Sequence, residues 1–127
     1  MPSWKPEGYV SVSPYLLCAE PERTIDFLVT VFDGRVLRRF SHPDGGLMHA
    51  EVQVDDSVVM LGGARTGVPR DQPHLHVYVP DVDATYQKAL AQGATSVQEP
   101  VQKADADKRG GVRDANGVTW WVATQRG

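Results

Sequence analysis

Cysteine is nearly missing from this chain: Cys18 is its only one. An intramolecular disulfide is therefore excluded, which fits a reducing compartment. Cys18 ends the apolar run "PYLLC" and reads as a small buried hydrophobe rather than a nucleophile. No run of about 18 apolar residues occurs, so no membrane span is expected. The first residues, "MPSWKPEGY", lack the apolar core of a signal peptide, and a cytoplasmic protein is expected. A large excess of charge of one sign is also missing. The net charge is -3 and no Lys/Arg-rich run appears, so nucleic acid is not an expected partner. No glycine pair precedes a helix in a phosphate-binding pattern; "GGLM" and "RGGV" read as glycines at turns or strand starts.

What remains is a globular composition, 41% hydrophobic and 23% charged. A length of 127 residues suggests one domain, or two small halves sharing a core. Residues 1–8 read as an extended arm. Its Trp4 is expected to pack on the domain or on a partner subunit, because a free aromatic gains by burial. "YVSVSPYLLC" is a strand candidate that Pro14 demotes to an edge. "EPERTIDFLVTVFDG" reads as a helix with Ile25, Leu28, Val29 and Phe32 on its apolar face, Pro21 in its first turn and Gly34 as its stop. "RVLRRFS" is a strand candidate. "LMHAEVQV" alternates, with Met48, Ala50, Val52 and Val54 on one face and His49, Glu51 and Gln53 on the other. "VVMLGG" returns as a strand, and residues 63–73 read as a linker.

The order then repeats. "HLHVYV" is a strand with Leu75, Val77 and Val79 as its apolar set. "DVDATYQKALAQG" is a helix with Tyr86, Ala89 and Leu90 on one face and Gly93 as its stop. "TSVQEPVQ" and "RGGVRD" are weaker strand candidates. "ANG" carries the Asn-Gly pair of a two-residue hairpin, and "VTWWVAT" is the last strand. Alternation allows only one of Trp120 and Trp121 to face the helix, and Trp120 is expected there. Each half thus reads strand, helix, three strands, an internal repeat. The free sheet faces are expected to curve together around a cavity.

The segments "PEGYVSVSPYLL", "TIDFLVTVFDG", "PDGGLMHAEVQVDDSVVML", "VYVPDVDATYQKALAQGA" and "GGVRDANGVTWWVAT" together resemble the vicinal oxygen chelate superfamily. This group includes glyoxalase I, bleomycin-resistance proteins and extradiol dioxygenases. The similarity covers nearly the whole chain, and most strongly a branch of small bacterial proteins without assigned activity. It implies an α+β fold of paired βαβββ modules (about 9–62 and 74–125) forming a curved mixed sheet around a cavity, often as a homodimer. The metal-dependent members take His or Glu ligands from the first and last strands of each module. Here those positions fall on Ser13, Met60, His74 and Trp121, and both 74 − 13 and 121 − 60 give 61. Only His74 suits Zn, Ni, Mn or Fe(II), because a thioether is soft and indole is no ligand.

A rearranged metal set is a separate alternative. Alternation sends His49, Glu51, His74, His76 and Tyr78 to the cavity side, and a His/carboxylate set suits Zn or Fe(II). The bland alternative makes them polar lining for an organic ligand, or a hydrogen-bonded His–Glu pair. Ser13, Tyr15 and Met60 line the first module and Tyr78 and Trp121 the second, with Trp121 offering a stacking surface. By resemblance, Arg109 stands near the cavity mouth, where a guanidinium holds a carboxylate or phosphate; a solvated surface arginine is the bland alternative. The leading expectation is a dimeric small-molecule-binding protein without metal or other cofactor. A metal-dependent lyase, isomerase or dioxygenase built around His74 is the second. A metal-free enzyme using His74 or His76 as general base ranks last, since no nucleophile or oxyanion motif accompanies them.

Overall fold

The computed structural model describes residues 4–64 and 72–126. Ten elements follow the repeated order: β1 (Tyr15–Cys18), α1 (Pro21–Phe32), β2 (Arg35–Ser41), β3 (Leu47–Val54), β4 (Ser57–Gly63), then β5 (His74–Tyr78), α2 (Val82–Ala91), β6 (Thr95–Gln102), β7 (Asp107–Arg113) and β8 (Thr119–Gln125). They form two four-stranded sheets, ordered β1-β4-β3-β2 and β5-β8-β7-β6. In each, the first strand runs parallel to the last and the other pairs are antiparallel. This is an α+β fold of paired βαβββ modules. Most of the expected linker, residues 65–71, lies outside the described residues.

Local chemistry explains the elements. Proline opens α1, where its missing N–H costs nothing. The helix stops one residue before the expected glycine: Asp33 takes the left-handed conformation, φ 54°, and its N–H bonds Leu28 O. Asp81 caps α2, its carboxylate accepting from Ala84 N–H, and Gly93 turns the chain at φ 100°. Strand β1 begins directly after Pro14, which leaves Ser13 outside the ladder. Pro14 is thereby kept off a central strand, as its missing donor requires.

Four expectations need correction. Val29 is exposed, because the buried stripe of α1 runs through Thr24, Phe27, Leu28 and Val31, to one side of it. Met48 is 45% exposed and Leu47 buried instead, since the β2–β3 register shifts between Phe40 and Ser41 and breaks the alternation there. The Asn-Gly turn is a three-residue loop: Asp114 N–H bonds Val118 O, Gly117 N–H bonds Asp114 O, and Gly117 alone takes positive φ. Of the two places expected for Trp4, the domain falls away, since the ring is 85% exposed on the single chain.

One core serves both modules. Leu16, Ile25, Leu28, Val52 and Leu61 join Val82, Tyr86, Val112 and Val122 in a single apolar cluster. Trp120 lies at its centre, 1% exposed, with ring centroids 5.9 Å from Phe27 and 5.5 Å from Phe32 of α1. Its Nε1–H donates to Asp114 at 2.8 Å. Asp114 also accepts from the N–H groups of Asn116 and Val118. Asn116 in turn bonds the backbone of Glu20 and the hydroxyl of Thr24. The β7–β8 turn is thereby fastened to the start of α1. Cys18 is fully buried in the same core, and burial pushes its thiol up, away from a reactive thiolate.

Removing the indole leaves a large void, so Trp120→Ala is expected to cost about 3–5 kcal/mol in urea unfolding. Asp114→Ala strands three donors, two of them buried, and is expected to cost about 2–4 kcal/mol in the same measurement.

Candidate functional site

The face of each sheet turned away from the helices carries the chemistry. In the first module, β3 points His49 and Glu51 to that face while Ala50 and Val52 enter the core. Cross-strand register places Tyr15 beside Met60 and Met60 beside Glu51. On the other flank Arg38 lies beside Glu51 and Phe40 beside His49. Glu51 is only 5% exposed, and an unpaired carboxylate there would be costly. It is fully partnered. Its Oε2 meets His49 Nε2 at 2.8 Å, its Oε1 accepts from the Tyr9 hydroxyl at 2.5 Å, and Arg38 Nε stands 3.7 Å away. Burial pushes this carboxyl up. The hydrogen bonds from His49 and Tyr9 and the Arg38 charge outweigh it, and the net shift is downward. His49 lies between the rings of Tyr15 and Phe40, at 5.7 and 6.3 Å.

The second module holds a different arrangement. Register places His76 beside Trp121 and His74 beside Thr119. Trp121 Nε1–H donates to His74 Nδ1 at 3.1 Å. Its ring lies over Gly111, the residue facing it on β7, where an added Cβ would come within 2.6 Å of the indole. The second glycine of "RGGV" is thus a bed for Trp121 inside a strand rather than a turn residue. Arg109 Nε–H donates to His76 Nε2 at 3.0 Å, and its two other nitrogens reach Asp107 at 2.9 Å and Asp105 at 3.3 Å. Tyr78 donates to the same Asp107 oxygen at 2.8 Å. Burial and the Arg109 charge hold His76 below its ordinary range, although Asp107 and Asp105 oppose them. A depression of about 320 Å³ on this face is lined by Gln98, Val101, Asp105, Asp107 and Arg109 among others.

The donors fix the histidine tautomers. Arginine and tryptophan N–H groups only donate, so His76 Nε2 and His74 Nδ1 both act as acceptors in this arrangement. One nitrogen of each is therefore already committed. The Arg109 guanidinium is likewise spent on two carboxylates and an imidazole, with no free fork for a ligand anion. Every one of these polar contacts stays within its own module. His49 and Glu51 thus belong to one sheet face and His74 and His76 to the other, and a four-residue metal set is not brought together within the chain. Among the described residues, no three His, Cys, Asp or Glu side chains form a metal-sized group.

The ligand positions carried over from the resemblance do not fit a catalytic metal either. Met60 offers a thioether and Trp121 no lone pair suited to a metal. The strand neighbour of Met60 is Tyr15, not Ser13. Asp107, Tyr9, Arg38 and Phe40 escaped the sequence reading. Shared parity with Arg109 on one strand was the signal available for Asp107, whereas Tyr9 lies ahead of β1, outside any strand, and no periodicity marks it.

Paired βαβββ modules with sheet faces of this kind define a class of fold shared by metalloenzymes and ligand-sequestering proteins. Residues 10–122 match the Glyoxalase/Bleomycin resistance protein/Dioxygenase superfamily, and the chain belongs to it. An uncharacterized protein of Mycobacterium bovis is 34% identical over 121 residues, spanning 87% of this chain and 80% of the relative. TioX from Micromonospora sp. ML1 has the same fold with a TM-score of 0.71 at 27% identity, over 91% of this chain and 95% of that one. The fold is shared with a Pseudomonas aeruginosa protein (TM-score 0.76, 18% identity, 91% and 98% covered). It is also shared with the fosfomycin resistance protein FosX from Mesorhizobium loti (0.67, 14%, 91% and 91%).

The lowered His76 value has a definite sign. A histidine depressed in the folded state adds stability above its unfolded value, and that contribution is lost as pH falls towards the folded value. Arg109→Ala removes one depressing charge and leaves Asp105 and Asp107. The His76 ring-proton titration, followed by NMR, is expected to move to higher pH. An unmoved midpoint would mean that Arg109 does not control the ring.

Proposed function

We propose that this protein binds a planar organic molecule on the aromatic floor of these sheet faces, without a metal or other cofactor. The observation that carries this is Trp121: at a position where the resemblance implies a metal ligand stands an indole, bedded on Gly111 and locked by its bond to His74. A preset aromatic plane loses little freedom on binding and stacks on flat ligands. Exposed Tyr15, Leu17, Phe40 and Tyr78 extend the apolar surface on the two faces. Ligand sites are mostly apolar with a few placed polar groups, and these faces have that composition. Sequestration of a small molecule is the proposed biological outcome.

The protein acts as a homodimer in this proposal. Within one chain the modules meet through α1, α2 and Trp120, which leaves both of these faces open. A second copy sets the first-module face of one chain against the second-module face of the other. The exposed Trp4 then finds cover on the partner. No helix is long and apolar enough to cross a membrane, and a cytoplasmic location is part of the proposal. The residues engaged by the ligand are Ser13, Tyr15, Met60, His74, His76, Tyr78 and Trp121, with Arg109 as a support for His76.

Titration with planar aromatic compounds, followed by intrinsic tryptophan fluorescence, is expected to show saturable quenching. Trp121→Ala is expected to weaken binding about tenfold, a loss of roughly 1.4 kcal/mol. Equal affinity in that variant would contradict stacking on Trp121.

A further inference from the structure

We propose that Glu51, His49 and Tyr15 form a proton-accepting relay on the first module's sheet face, which takes the hydroxyl proton of a phenol- or enol-type ligand and holds it as its anion. The proposal rests on the reading that these faces bind planar organic ligands, and it adds a chemical class and a task.

The geometry runs from a buried charge to an exposed hydroxyl. Glu51 is 5% exposed and Tyr15 52%. The carboxylate only accepts, so His49 Nε2 carries its proton towards Glu51 across 2.8 Å. The lone pair of Nδ1 then points to the Tyr15 hydroxyl at 3.5 Å. Such contacts are often long before a ligand arrives. Tyr9 and Arg38 occupy the other oxygen of Glu51. The carboxylate is pinned on both sides, as an orienting group behind a base must be. Gly62 makes the last link fit: an added Cβ would lie 2.9 Å from the Tyr15 oxygen. The rings of Tyr15 and Phe40 hold the imidazole plane from two sides.

The proton balance is simple. The ligand O–H bond breaks and its proton passes to the Tyr15 oxygen, while the Tyr15 proton moves to His49 Nδ1. The Nε2 proton stays on His49, donated to Glu51. A neutral ligand and a neutral imidazole become a ligand anion and an imidazolium, with no change in net charge. Glu51, held in its ionised form, stabilises the imidazolium. The charged and titratable groups around the relay are Glu51 on β3, Arg38 on β2, Tyr15 on β1 and Tyr9 on the arm. Of these only Arg38 is cationic, and its charge offsets that of Glu51.

The test uses the full chain and 4-nitrophenol, whose absorbance reports its ionisation. Bound to the wild-type protein, the probe is expected to ionise about one pH unit or more below the free probe. His49→Gln is expected to bind the probe and return the midpoint to the free value. Tyr15→Phe, a conservative change at an exposed ring, is expected to do the same and covers the case of a poorly folded His49 variant. Glu51→Gln keeps an oxygen for Nε2–H but loses the charge, and an intermediate midpoint is expected. A bound midpoint equal to the free one overturns the relay alone, as does a full shift retained in both His49→Gln and Tyr15→Phe. If no planar aromatic compound binds the wild-type protein, the relay and the binding proposal fall together.

Discussion

Trp120 packs between the two modules, against Phe27 and Phe32 of α1, with its one polar atom satisfied by Asp114. Much else follows from that placement. An indole buries a large apolar surface but needs a partner for its N–H when dry. Asp114 supplies it and, through Asn116, fastens the β7–β8 turn to the first turn of α1. With Trp120 inside, strand geometry turns Trp121 to the opposite face. The core anchor and the proposed stacking surface are thus neighbouring residues on one strand, and the first fixes the second.

The two sheet faces differ in how their charge is arranged. The second module closes its charges on themselves: Arg109 joins His76, Asp105 and Asp107, and Tyr78 completes Asp107. Such a network is worth most when every member is satisfied, and it leaves Trp121 as the open feature. The first module is partnered on its inner side by Tyr9 and Arg38 and remains open towards Tyr15. One face offers an aromatic plane and the other a proton acceptor. Both arrangements commit nitrogens or oxygens that a catalytic metal would need.

Periodicity carried most of the fold. The strand–helix–strands order, the repeat spacing and the split between Trp120 and Trp121 all follow from which residue types alternate and where the period changes. The misses have local causes. Met48 was placed by alternation through a register shift that only cross-strand pairing reveals. Counting back from the first helix put Ser13 in the first strand, whereas that strand begins after Pro14, at Tyr15. Arg109 was placed at the cavity mouth by resemblance alone, and its bonds to His76, Asp105 and Asp107 show only in three dimensions. Nothing in one sequence tells which module supplies the neighbours of a given histidine. The separation of His49 and Glu51 from His74 and His76 is therefore a purely tertiary fact.

The central claim is that the inherited metal positions have become an organic binding surface. Protein stripped of metal with a chelator, then titrated with a planar aromatic ligand under tryptophan fluorescence, tests it most directly. Saturable binding that stays the same when Zn, Ni, Mn or Fe(II) is restored is the expected result. Binding that appears only with one of those ions present, and disappears in His74→Ala, would contradict the account.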